Sequence, residues 1–120
     1  MKVLIPMLSK RENEDAFLQR ATGGAKNVIL LLVIDTAGMN RFGFTTSEIS
    51  HGNELMDDIK GKMGKREVEA VLEWGETGKK IENLAKLQRV DKVVMVKQEN
   101  LHFEKLVKHL KDSGIMVEVV

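Results

Sequence analysis

Residues 27–34 read NVILLLVI, an unbroken aliphatic run behind a single asparagine. Successive side chains of a strand point to opposite faces, so a strand with one wet face alternates apolar and polar residues. A run without alternation predicts a strand covered on both sides, the habit of parallel sheets. The run is also far below membrane-spanning length, which is about 20 apolar residues. The opening MKVLIPML is a second short apolar stretch, and Ser9-Lys10-Arg11-Glu12 follows it too soon for a signal peptide.

The rest of the chain alternates between the two periodicities. Ser9 and Glu12 stand at capping-box spacing, and Ala16, Phe17, Arg20 and Ala21 follow in helical rhythm until Gly23-Gly24. Ile49, Gly52, Met56, Ile59 and Met63 form a second helical stripe, ended near Gly64. Residues 68–74 (VEAVLEW) predict a third strand closed by Gly75, and Ile81, Leu84, Ala85 and Leu87 a third helix. Asp91 introduces a fourth strand over 92–96. Phe103, Leu106, Val107 and Leu110 mark a last helix, with Asn100 placed to cap it and Gly114 to end it, before a fifth strand over 115–120. Strict alternation with crossovers of a dozen residues or more predicts an α/β fold, an open parallel five-stranded sheet with four helices on both faces.

Length and charge narrow the function classes. A chain of 120 residues makes one domain over its whole length and buries roughly two-thirds of its unfolded surface. It has no cysteine, which excludes disulfides, thiolate metal sites and a cysteine nucleophile and fits a cytoplasmic location. Nineteen basic against 18 acidic residues leave a net charge of +1, the balance of a solvated surface and not of a nucleic-acid binder. The clusters Lys60–Arg66 and Lys105–Lys111 have acidic neighbours and read as solvated faces before phosphate patches. His102 and His109 are seven apart on one helix and His51 lies elsewhere, a spacing that makes surface histidines and no metal site.

Gly75, Ile81, Ala85, Asp91 and Met95 stand at the spacings found in the second half of universal stress proteins. The opening MKVLIP is similar to that family's first strand and the closing IMVEVV to its last. The resemblance implies strand order 3-2-1-4-5 and a homodimer formed through the C-terminal strand. Nucleotide-binding members carry an aspartate just after the first strand, and after the fourth a motif of Gly, two residues, Gly, nine residues, then Gly with Ser or Thr. Here Leu8, or Met7, takes the place of the aspartate, and Val96-Lys97-Gln98-Glu99-Asn100 follows the fourth strand with no glycine before Gly114. Glycines in such a loop let backbone N–H groups reach phosphate oxygens, so Lys, Gln and Glu there disfavour ATP or AMP as a cofactor.

In open α/β sheets ligands lie beyond the carboxyl ends of the strands, where strand order reverses. The residues delivered there are Ser9 and Lys10, Lys97 and Gln98, and Asp35 with Thr36. Two lysines can hold an anion as point charges. The plainer reading makes Ser9 a helix cap, Lys97 a solvated loop residue and Asp35 the start of an Asx-turn. Gly75-Glu76-Thr77-Gly78 is a weak anion signal, and Gly61-Lys62-Met63-Gly64-Lys65 falls short of a phosphate loop because it ends a helix and lacks the first glycine and the final Ser/Thr. Residues 35–46 form a long loop with Met39, Arg41, Phe42 and Phe44, for which packing on the core or a dimer contact ranks ahead of ligand binding.

Three functions fit to different degrees. The first is a non-enzymatic, dimeric regulatory or interaction protein that does not use ATP in the family's way. The second is a nucleotide or anion binder, hydrolytic or not, with a loop rebuilt around Lys97 and Lys10. A receiver-like phosphorylation switch ranks last, because Met7-Leu8 and Trp74-Gly75 offer no acidic pocket and no phosphoacceptor. Pyrophosphatase-loop chemistry lacks its Ser-Gly-Gly as well. Neither a nucleic acid nor a membrane is an expected partner.

Overall fold

A computed structural model of the chain describes residues 1–35 and 44–120. Its strands are β1 (Lys2–Pro6), β2 (Asn27–Ile34), β3 (Glu67–Trp74), β4 (Lys92–Met95) and β5 (Val117–Val119). Between them run α1 (Asp15–Thr22), α2 (Ile49–Lys62), α3 (Thr77–Leu87) and α4 (Leu101–Asp112). The strands form one sheet in the order β3-β2-β1-β4-β5, with every pairing parallel.

The burial of β2 explains its composition. Val28, Leu30, Leu32 and Ile34 point into a core shared with Phe17, Leu18 and Ala21 of α1 and Leu55, Met56 and Ile59 of α2. Ile29, Leu31 and Val33 point the other way, toward Ile81, Leu84 and Ala85 of α3 and Phe103, Leu106 and Leu110 of α4. Each such side chain, once buried, stabilises the fold by about 1.5–3 kcal/mol relative to exposure, so a charge anywhere from 28 to 34 would break one of the two layers. β3 differs because it is an edge: only its inward neighbours cover it, and Leu72 and Trp74 are 39% and 48% exposed.

Two element boundaries depart from the sequence expectation. α1 begins at Asp15, six residues after Ser9, so Ser9 is not its cap; Glu14 stands at that position without a side-chain hydrogen bond. The cause is Lys10, whose φ of 65° turns the chain left-handed and prevents helix from starting there. β5 keeps three of the six expected residues. By contrast, Asn100 caps α4 through a 2.8 Å bond from the Phe103 N–H, as its spacing predicts.

α2 approaches the sheet at Gly52, where an added Cβ would lie 2.5 Å from Leu32 Cδ2; at Gly61 in the same helix it would meet nothing within 4 Å. Gly61→Ala is expected to stabilise the protein by about 0.5–1 kcal/mol through helix propensity. Gly52→Ala should destabilise it by about 1–2 kcal/mol, because overpacking at Leu32 outweighs that same gain. Urea midpoints of the two variants check the pair, and a stabilised Gly52→Ala would show that the α2–β2 contact is looser than described.

Candidate functional site

The carboxyl ends of β1, β2 and β4 form the crest where strand order reverses. Met7 and Leu8, which stand where a nucleotide binder of this fold has its aspartate, are 1% and 5% exposed. They point to opposite sides of the sheet, Met7 into the α1/α2 core and Leu8 into the α3/α4 core. Both positions are therefore packing positions.

The acid of this region is Glu12, with 0% exposure. Its carboxylate accepts from the Ser9 N–H at 3.0 Å and from Ser9 Oγ at 2.6 Å. Burial pushes its pKa up, and the bonds from Ser9 oppose the shift. The Ser9/Glu12 spacing showed that the two side chains meet, but depth is invisible in a four-residue pattern, so the sequence reading missed a buried carboxylate.

Lys10 is held from two directions. Its Nζ donates to Glu48 Oε2 and lies 5.3 Å from the centroid of the Phe44 ring. Phe44 is 1% exposed, bridges to Ile34 and meets His51 edge-on with centroids 5.6 Å apart. The Phe44 end of the expected loop thus packs back on the core; Thr36, Met39, Arg41 and Phe42 lie outside the described residues. Glu48 also accepts from the Thr45 N–H and Oγ1 in a capping box. Lys10 first, then the bonds from Thr45, bring its pKa down to about 2.

Asp35 reaches across to α3, where its Oδ2 accepts from Thr77 Oγ1 at 3.2 Å and the Thr77 N–H at 3.3 Å. The start of α3 is closed further by Glu76, whose carboxylate accepts from the Gly78 and Lys79 N–H groups. Those amides are therefore engaged by a fixed carboxylate of the chain itself. Gly75, at φ 147°, occupies a conformation open essentially to glycine alone.

After β4 the link to α4 spans 96–100. Lys97 is 66% exposed at its side chain and lies 3.8 Å from Glu99. Gln98 Nε2 is buried without a hydrogen-bond partner among the described residues. Lys97 and Gln98 line a 460 Å³ groove with Phe103, Val107 and Val119, between α4 and the β5 edge. The four sequence-selected residues thus each engage a different partner: Ser9 with Glu12, Lys10 with Glu48, Asp35 with Thr77 and Lys97 with Glu99.

No protein-family profile matches the sequence, and no curated protein matches it. Solved structures do match. A universal stress protein in complex with cAMP aligns over 100% of this chain and 95% of its own, with 14% identity and a TM-score of 0.68. A universal stress family protein from Burkholderia pseudomallei aligns over 99% and 94%, with 18% identity and a TM-score of 0.62. A universal stress protein from Lactobacillus plantarum aligns over 100% and 97%, with 13% identity and a TM-score of 0.61. The chain has the universal stress protein fold, with the strand order that the resemblance implies.

The two crest glutamates titrate with opposite sign. For Glu12 the folded pKa exceeds the unfolded one, so its contribution is full below the ordinary glutamate range and is lost as pH rises through the raised folded value. For Glu48 the folded pKa is depressed, so its contribution is present above the unfolded value and is lost as pH falls from about 4.5 toward about 2. The stability of the natural chain relative to Glu12→Gln should therefore fall as pH rises from 4 upward, whereas relative to Glu48→Gln it should fall on acidification. Chemical denaturation across pH checks both, and parallel curves for the two variants would contradict the assignment.

Proposed function

We propose that the chain is a non-enzymatic regulatory or interaction protein of the universal stress type, acting in the cytoplasm as a homodimer through its C-terminal strand and without ATP in the family's usual way. The observation that carries this reading is the link between β4 and α4. It has five residues, 96–100, fewer than the glycine motif needs. Its last residue, Asn100, is committed to capping α4. Supporting it, Met7 and Leu8 fill both sides of the β1 end with apolar side chains, and the amides opening α3 are held by Glu76.

The dimer rests on the β5 edge. Among the described residues β5 leaves one side unpaired, and beside it runs the groove lined by Phe103, Val107 and Val119. A second copy seated there covers the apolar surface and pairs the open strand edge. Light scattering at micromolar concentration should give twice the 13.5 kDa chain mass, and Val119→Lys should give the single mass. A natural chain that is monomeric under those conditions removes the dimer from the proposal.

A second reading, a nucleotide or anion binder using Lys97 and Lys10, is favoured by one observation: a protein of this fold is described in complex with cAMP. It requires Lys10 to leave Glu48. Calorimetric titration with ATP separates the readings. The first expects no stoichiometric heat. The second expects saturable heat that Lys10→Ala/Lys97→Ala abolishes, and that result would overturn the first.

A further inference from the structure

The opposite end of the sheet carries a different arrangement. There the link from α1 to β2 and the link from α2 to β3 meet around a 690 Å³ cleft, a size in the range of small-molecule sites. Both links turn at glycines in the left-handed region, Gly24 at φ 82° and Gly64 at φ 62°. Lys26 comes from the first link, Lys65 and Arg66 from the second, and Glu67 is the one acid in the lining, which leaves the cleft a net charge of three minus one, or +2.

Charge alone would be a solvated face; what distinguishes this cleft is how its cations are held. Among the described residues Lys26, Lys65 and Arg66 form no ion pair, whereas Lys10 and Lys97 at the crest are each matched to a glutamate. Arg66 is fixed instead by neutral acceptors. Its Nε donates to the Ala25 carbonyl at 3.0 Å and its Nη1 to the Met63 carbonyl at 3.3 Å. Two of its five donors are thereby used for positioning, so three remain on a guanidinium that already has its place and keeps its full charge. Preorganisation of this kind removes much of the ordering cost of binding.

We propose that this cleft binds a small oligoanion of the phosphate class. Arg66 takes one anionic group through its remaining donors, and Lys26 and Lys65 neutralise a second. A phosphate tetrahedron suits the fork, and two linked phosphates match three cations better than a single carboxylate does. A nucleic-acid backbone is a poorer occupant, because it needs an extended basic track and the chain's net charge is only +1. The site is distinct from the crest, so it stands or falls independently of the function proposed above.

The test is an NMR titration of the ¹⁵N-labelled full chain with inorganic pyrophosphate at low ionic strength, where surface screening is least. Saturable shifts are expected at the amides of 24–27 and 65–67. Lys26→Ala/Lys65→Ala should weaken binding by about tenfold or more, roughly the effect of losing two charge contacts. Arg66→Lys, which keeps the charge and loses the fork, should weaken it by about threefold or more. Lys79→Ala/Lys105→Ala removes the same charge from a separate basic cleft and should change affinity by less than about twofold. All the lysines involved are exposed, so folding is not at stake for either double variant. Equal weakening by the two double variants, shifts centred on Ser9, Lys10 and Lys97, or absence of saturable binding would each overturn the proposal.

Discussion

The structure depends on β2 being buried on both faces. Seven consecutive aliphatic side chains divide by parity between two cores, and every helix packs on one of them: α1 and α2 against the even-numbered residues of β2, α3 and α4 against the odd-numbered ones. This arrangement fixes the parallel sheet, because only crossover helices cover both faces of a central strand. It also fixes where chemistry can occur. With both faces of β2 filled by hydrocarbon, the sheet brings polar groups together at the two ends of its strands, the crest at the carboxyl ends and the cleft at the amino ends.

The two ends are electrostatically unlike. At the crest the charged groups are matched within the chain: Lys10 with Glu48, Asp35 with Thr77, Glu76 with the first amides of α3. A ligand arriving there must displace bonds that already exist, and each displaced charge-assisted bond subtracts from its affinity. At the other end, among the described residues, Lys26 and Lys65 form no ion pair and Arg66 is oriented by carbonyl oxygens.

Most of the fold was legible because its signals are local or periodic. The apolar run of β2, the i, i+3, i+4, i+7 stripe of α4 and the Asn100 cap each need only a short window of sequence. What escaped was depth and convergence. Ser9 and Glu12 stood at a spacing that pairs them, yet nothing in four residues says that the carboxylate is buried or that Lys10, one position on, turns left-handed and delays α1 to Asp15. Lys65 and Arg66 read as part of an ordinary surface cluster, since Lys26 is about forty positions away in sequence and joins them only through the β2–β3 pairing, where Asn27 lies opposite Glu67. Lys10 and Lys97 stand out in the sequence by lying at strand ends, whereas the acids that engage them, Glu48 and Glu99, carry no local signal of that role.

Trp74 ends β3 opposite Ile34, and Asp35 follows directly on the neighbouring strand. It is the one tryptophan in a chain that has no tyrosine, and its ring is half exposed at the edge of the crest. The molecule thus carries a built-in optical probe at its carboxyl-end rim. An indole in that setting changes emission when its hydration changes, so anything that settles on the crest beside β3, whether a ligand or another protein, alters the intrinsic fluorescence of the unlabelled chain.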